Sequence, residues 1–235
     1  MEENLVIGFR KIKALQEVCM RMSLIPDEHR EETRNQLAQN LVNPVRVVMF
    51  TQEMECHFCA ETKQLIMELA ALNDKIKAEV HDFAADAQLA KDYGVDKVPA
   101  LVILGEKDYG IRFYGLPFGY EFQTLLQSLT AVSHGKTDLA EDTKTKLKEI
   151  KTPVNIKVFV TLTCPHCPVV ASLAHKFAME NDLIKAEVID GNEFPQLALK
   201  YGVMGIPKTV INEKVDFVGA VPESVFLQHV LLAIQ

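Results

Sequence analysis

Short runs rich in branched apolar residues alternate along this chain with stretches whose apolar positions recur at helical spacing, and together they predict a series of elements. Val45 to Phe50 has the character of a strand buried on both faces. From about Cys59 the period lengthens, with Leu65, Leu69 and Leu72 on one helical face and Asn73-Asp74 closing it. Lys77 to Phe83 predicts a second strand, Gln88 to Tyr93 a short helix ended by Gly94, and Ala100 to Leu104, after Pro99, a third strand. A turn over Gly105 to Gly110 leads into Ile111 to Tyr114, and Phe118 to Ala131 predicts a closing helix. The second half runs through the same order. Ile156 to Val160 is a strand, Pro168 to Glu180 a helix with Val170, Leu173 and Phe177 inward, Ala186 to Asp190 a strand and Phe194 to Tyr201 a helix. Lys208 to Ile211 is a strand, Asn212-Glu213-Lys214 a tighter turn, and Ser224 to Ile234 the last helix. Leading helices are predicted over Asp27 to Leu41 and Leu139 to Ile150. A further one over Glu3 to Met22, beyond the break at Ile25-Pro26, has no counterpart.

The two halves are copies. Cys56-His57-Phe58-Cys59 and Cys164-Pro165-His166-Cys167 are both C-x-x-C, and the same step of 108 residues carries Ile76-Lys77-Ala78-Glu79-Val80 onto Ile184-Lys185-Ala186-Glu187-Val188, Tyr93-Gly94-Val95 onto Tyr201-Gly202-Val203, and Pro99 onto Pro207. Pro44 and Pro153 stand 109 apart, so the loop before Cys56 is one residue longer, a small indel of the kind loops tolerate. The order β-α-β-α-β-β-α, with cysteines at a strand-to-helix junction, describes a thioredoxin-like unit. The expected fold class is α/β: two tandem thioredoxin-like folds, each a central mixed β-sheet flanked by helices, plus an N-terminal helical extension. The boundaries are an extension over 1–26, an N-terminal unit over 27–134 and a C-terminal unit over 135–235. The joint falls within Ala131 to Thr137, and its shortness implies that the units pack together.

Composition narrows the classes. With 235 residues and 48% apolar content the chain holds two domains of about 100 residues. A net charge of -7 argues against a nucleic-acid partner, which needs clustered Lys and Arg. No apolar run approaches the roughly 18 residues of a membrane span, and the acidic start Met1-Glu2-Glu3-Asn4 lacks the marks of a secretory signal. The expectation is a cytoplasmic protein with no membrane partner. Persistent structural disulfides are unusual in that compartment, so four of the five cysteines read as working thiols. Cys19 lies on an apolar stretch with Leu15 and Val18 and reads as a packing residue.

Thiolate is the nucleophile in disulfide exchange, whereas a free Cys with a pKa of ~8.5 is mostly protonated at neutral pH. A helix N-terminus supplies unpaired N–H groups and a positive dipole end, both favouring the anion. Cys56 and Cys164 are therefore the expected attacking thiols, with Cys59 and Cys167 one turn on to resolve the mixed disulfide. The competing reading is a zinc site, whose Cys pairs usually stand some 12 to 20 residues apart. Here the pairs are more than 100 apart, and C-x-x-C-H haem attachment fails because Ala60 and Pro168 follow. No bound metal or other cofactor is expected. Pro99 and Pro207 sit where a thioredoxin fold carries a cis-proline facing the cysteines. There the backbone of Val98 and Ile206 is presented to an extended peptide.

The flanks of the two pairs differ. His166, when charged, favours the Cys164 thiolate, and Pro165 stiffens the turn. At the first pair Glu55, with Glu53 nearby, opposes the thiolate and offsets His57, or else both acids are solvated and screened.

The chain resembles the two-unit protein disulfide oxidoreductases, or glutaredoxin-like proteins, of thermophilic archaea and bacteria. The resemblance covers about Leu41 to Ile234. It is carried by Val158-Phe159-Val160-Thr161, Cys164-Pro165-His166-Cys167-Pro168, Ala174-His175-Lys176-Phe177-Ala178 and Gly110-Ile111-Arg112-Phe113-Tyr114-Gly115-Leu116-Pro117. It implies two redox-active disulfides, Cys56–Cys59 and Cys164–Cys167, reductase, oxidase and isomerase activity on protein substrates, and a thioredoxin reductase-like NADPH flavoprotein as partner. Two departures stand out. Six residues before each pair, where thioredoxins bury an Asp, this chain has Phe50 and Val158. Where glutaredoxins hold glutathione with Gly-Gly and an acid, the C-terminal unit reads Gly219-Ala220-Val221-Pro222. A glutathione-dependent or iron–sulfur-carrying glutaredoxin is the alternative reading.

Overall fold

A computed structural model of the chain describes residues 23–235. The helix expected over Glu3 to Met22, and Cys19 within it, lie outside these residues. Eight strands and eight helices follow in the described part. The N-terminal half holds α1 (Asp27–Asn40), β1 (Val45–Thr51), α2 (Cys59–Leu72), β2 (Ile76–Asp82), α3 (Ala87–Asp92), β3 (Ala100–Leu104), β4 (Asp108–Tyr114) and α4 (Glu121–His134). The C-terminal half holds α5 (Glu141–Lys148), β5 (Val154–Val160), α6 (Cys167–Glu180), β6 (Ile184–Asp190), α7 (Pro195–Lys200), β7 (Lys208–Ile211), β8 (Val215–Val218) and α8 (Glu223–Leu232).

The two halves share one sheet of eight strands in the order β2-β1-β3-β4-β6-β5-β7-β8. Within each half the first strand pairs parallel to the second and antiparallel to the third. The halves join where β4 runs parallel to β6, Ile111 opposite Ala186 through to Tyr114 opposite Ile189. It follows that β1, β2, β4, β5 and β6 all point the same way. Both C-x-x-C pairs, at the ends of β1 and β5, emerge at the same edge of one sheet, four strand spacings or roughly 19 Å apart.

Strand alternation sorts the core. Val47 and Met49 of β1, with Ile156, Val158 and Val160 of β5, face one side. There Leu37 of α1, Leu65 and Leu69 of α2, Leu125 and Leu129 of α4, Phe177 of α6 and Phe226 of α8 form a single buried cluster across both halves. Val48, Phe50 and Phe159 face the other side, under Ala90 of α3 and Leu197 and Ala198 of α7. The seam is also bonded on both faces. Ser128 of α4 meets His175 Nδ1 of α6 at 2.8 Å. On the far side Lys97 reaches Glu187 at 3.9 Å while lying over the Tyr114 ring.

Three boundaries depart from the sequence reading by three residues, the first being β4, which starts at Asp108 inside the turn expected over Gly105 to Gly110. The helix expected from Phe118 starts at Glu121, because Gly119 takes a positive φ of 58° and the chain turns before it winds. The same helix runs on to His134, into the expected joint, because Val132 and Ser133 are buried against the first unit. Gly135, with φ 63°, ends it.

Candidate functional site

Each cysteine pair sits where its strand gives way to a helix. Cys59 opens α2 and Cys167 opens α6; both are buried, while Cys56 and Cys164 are half-buried in the preceding loop. Each pair is joined as a disulfide with Cα atoms 5.5 Å apart. This places the first sulfur of each pair within reach of a partner and keeps the second covered by its helix. The second cysteine of each pair thus stands in the first turn of its helix, where unpaired N–H groups and the positive dipole end favour a thiolate.

The two prolines stand beside the cysteine loops. Val98–Pro99 and Ile206–Pro207 are both cis, the conformation expected of them. Ala100 pairs with Phe50 and Lys208 with Phe159, so each proline lies level with the end of the strand that leads to its own cysteines. The Pro99 carbonyl accepts the Gly115 N–H at 3.0 Å, and the Pro207 carbonyl accepts the Gly219 N–H at 2.8 Å. The prolines are buried or nearly so, while Val98 and Ile206 are half-exposed. At the first site Glu53 and Glu55 are exposed, Glu55 with φ 58°, and Gln52 Nε2 donates to the Met54 carbonyl at 2.6 Å. His57, Pro165 and His166 are exposed.

The loop of the second site is held by the other unit. Leu162, two residues before Cys164, accepts the Tyr120 N–H at 3.0 Å from the start of α4. A Cβ at Gly119 would come within 2.4 Å of that same carbonyl, so glycine is what permits the approach.

One group of residues escaped the sequence reading altogether. Glu121, at the start of α4, is 2% exposed and neither carboxyl oxygen has a hydrogen-bond partner in the protein. It lines a small cavity with Val160 of β5, Asp190 of β6 and Gly115-Leu116-Pro117. Burial pushes its pKa up to about 7, Thr124 pulling the other way and the Asp190 charge adding to the rise. Asp190 is raised by burial, against the Asn192 and Glu193 N–H groups that its carboxylate accepts at 2.7 and 3.2 Å. Glu193 is raised to about 7, again by burial first, then by the charges of Asp190 and Glu61, with the Leu116 N–H opposing. Phe50 and Val158 are fully buried apolar residues, so no acid stands at those places. A Glu in the first turn of a helix also suits the helix dipole, so Glu121 carries no signal in the sequence that marks it out.

Among the described residues no group of three or more His, Cys, Asp or Glu is placed to hold a metal ion, and no helix is long and apolar enough to cross a membrane.

Comparison with known proteins agrees with this geometry. The thioredoxin domain family matches residues 45–127 and again 154–232. The F protein of the alkyl hydroperoxide reductase from Escherichia coli (strain K12) is 29% identical over 155 residues, which is 66% of this chain. The match spans only 28% of that protein's length. Thioredoxin of Methanocaldococcus jannaschii is 41% identical over 68 residues, covering 28% of this chain and 80% of that one. The crystal structure of a protein disulfide oxidoreductase from Aeropyrum pernix k1 superposes with a TM-score of 0.83 at 32% identity, over 88% of this chain and 92% of that one. Matched twice by one family and paired along its length with a two-unit structure, the chain belongs to the thioredoxin family as a thioredoxin-fold disulfide oxidoreductase with two C-x-x-C sites.

Proposed function

We propose that the chain reduces, oxidises and isomerises disulfides of protein substrates, using Cys56–Cys59 and Cys164–Cys167 as two unequal exchange sites. The observation that carries this reading is the repeated pairing of a half-buried first cysteine with a buried second one at a helix start, beside a strand-initial proline. In the reducing direction the Cys164 thiolate attacks a substrate disulfide. The substrate S–S bond breaks, a Cys164–substrate S–S bond forms, and the first substrate sulfur leaves as thiolate and takes up a proton. Cys167 then loses its proton and attacks Cys164; the Cys164–Cys167 bond forms and the second substrate sulfur leaves with the electron pair. Two electrons have passed to the substrate. Glu121, buried and titrating near neutrality beside the loop that carries Cys164, is suited to take the Cys167 proton and return it to the departing thiolate.

The half-exposed backbone at Val98 and Ile206 supports extended peptide as substrate, bound by strand addition. Exposed apolar residues flank both pairs, Met54 and Phe58 at the first and Val169 and Met204 at the second, which suits unfolded segments better than a small polar thiol. Electrons to regenerate the dithiols come, on the family resemblance, from a thioredoxin reductase-like NADPH flavoprotein. The test is refolding of scrambled ribonuclease. The proposed route is a cycle of reduction at one pair and reoxidation at the other, so Cys56→Ser and Cys164→Ser are each expected to lose most of the activity. Full isomerase activity from either single-site variant would reject the two-site reading.

A further inference from the structure

Because β4 and β6 run parallel, the second unit repeats the first by a step along the sheet, and each site has one flank facing the seam and one facing away. At the second site the seam flank meets the start of α4 and Glu121. At the first site the corresponding approach comes from the loop after β6. We propose that Glu193, reaching across from the C-terminal unit, is the positioning acid of the N-terminal disulfide. The inference rests on the thiol–disulfide reading above.

The geometry runs through a short set of contacts. Glu193 Oε1 accepts the Leu116 N–H at 2.6 Å, and Leu116 follows Gly115, whose own N–H is held by the Pro99 carbonyl. The Glu193 carboxyl thus sits one residue from the backbone that borders the first site. A Cβ at Gly115 would lie 2.9 Å from both the Asp190 Cβ and Glu193 Oε1, so the loop leaves room for the acid to cross. From the other side Glu61, two residues beyond Cys59 in the first turn of α2, acts on Glu193 through its charge, and its Oε2 is buried without a partner. The repeat makes the arrangement specific. The place of Glu193 in the first unit is Ala85, and the place of Glu61 in the second is Val169, 60% exposed.

The groups facing Glu193 are the Leu116 N–H from the loop after β4, Asp190 at the end of β6 and Glu61 of α2. The charged ones are all carboxylates. Burial first, and then the Asp190 and Glu61 charges, push the Glu193 pKa up to about 7, and in the proposal its ionised form opposes a thiolate at the first pair. It acts on the sulfurs through its field and touches neither.

The experiment uses the full chain in two backgrounds, Cys164→Ser/Cys167→Ser to leave the first site and Cys56→Ser/Cys59→Ser to leave the second. Alkylation of the reduced attacking cysteine by iodoacetamide is followed against pH. Glu193→Gln, which keeps an acceptor for Leu116, is expected to speed alkylation of Cys56 at pH 7 by about threefold, half a unit of thiol acidity, and to remove an inflection near pH 7. Cys164 is expected to stay within about twofold. The converse variant, Glu121→Gln, is expected to move Cys164 and leave Cys56. A Cys56 profile that does not change, or a shift at Cys164 as large as that at Cys56, overturns the assignment. Should Glu193→Gln not fold, the Glu193 carboxyl is titrated by 13C NMR in the Cys164→Ser/Cys167→Ser chain. Its midpoint is expected to rise when Cys56–Cys59 is reduced, and an unmoved midpoint overturns the proposal. Insulin reduction by the unsubstituted chain is run alongside. Failure there strikes the exchange reading itself, whereas exchange with an unmoved Cys56 profile strikes only the role of Glu193.

Discussion

Met67 on α2 and His175 on α6 occupy the same place in the repeat, yet Met67 is 50% exposed and His175 2%. The helices carry the same cysteine pair at their starts and are equally long, 14 residues. What differs is the neighbour. Nine residues of α6 are buried against six of α2, because α4 of the first unit covers the flank of α6 that α2 leaves open. The loops follow suit: the one before Cys164 is bonded to α4 through Leu162, while Glu53, Met54 and Glu55 before Cys56 stand in solvent. A duplicated motif thus becomes two different sites through its position in a shared sheet as much as through its flanking residues.

The sharpest way to break this comparison is to remove each site in turn. Cys164→Ser is expected to cost at least about tenfold more insulin-reducing turnover than Cys56→Ser, the equivalent of one unit of thiol acidity. On the proposed reading, the Pro165-His166 insert, the loop pinned through Leu162 and Glu121 favour Cys164, and the exposed Glu53 and Glu55 oppose Cys56. Equal losses, or the reverse order, would show that the surroundings do not decide which site leads.

Glu121→Gln sharpens the same point with a smaller effect. Turnover at the second site is expected to fall several-fold at pH 7 and to lose an inflection near that pH, with the first site unaffected. Stability moves the other way. A carboxyl raised from 4.5 to about 7 by folding contributes most below pH 4.5, where both states are protonated, and its contribution is lost as pH rises toward 7. The variant should therefore gain on the parent across pH 4.5 to 7, by on the order of 3 kcal/mol at most. Urea titrations at both ends of that window check this, and a difference that does not grow with pH refutes the buried ionisation.

Much of the fold was legible because two copies corroborate each other. The strand-helix order, the C-x-x-C junctions and the prolines recur at one spacing, and each matches an element or bond in the structure. Boundaries slipped where tertiary contact overrode local signals, as in Val132 and Ser133, drawn into the core from a stretch that reads as a joint. The shared sheet and the acids were not legible, for a related reason. A repeat shows what two units have in common, whereas the seam is made of what they do not. Glu193 answers to Ala85 and His175 to Met67, so the repeat is silent about both.

The last and smallest expected effect tests the seam itself through His175. Its Nδ1 lies 2.8 Å from Ser128 Oγ, and the Ser128 hydroxyl lies 2.8 Å from the Thr124 carbonyl. Nε2 is buried with no partner, and the Phe113 ring packs edge-on at 4.8 Å. Burial pushes the pKa down to about 3, against the Arg112 backbone, which raises it. A histidine lowered from 6.5 in this way contributes its full stability above pH 6.5 and loses it as pH falls, because the unfolded chain binds the proton first. The raised acids at the seam produce the opposite trend over the same window, so the parent chain alone does not reveal it. The difference between the parent and His175→Gln cancels those acids, leaving the histidine. That difference is expected to shift by about 1.5 kcal/mol, against the parent, between pH 6.5 and 5. If it stays constant across that range, His175 is not held neutral by the packing of α4 on α6, and the two helices do not differ in the way their burial implies.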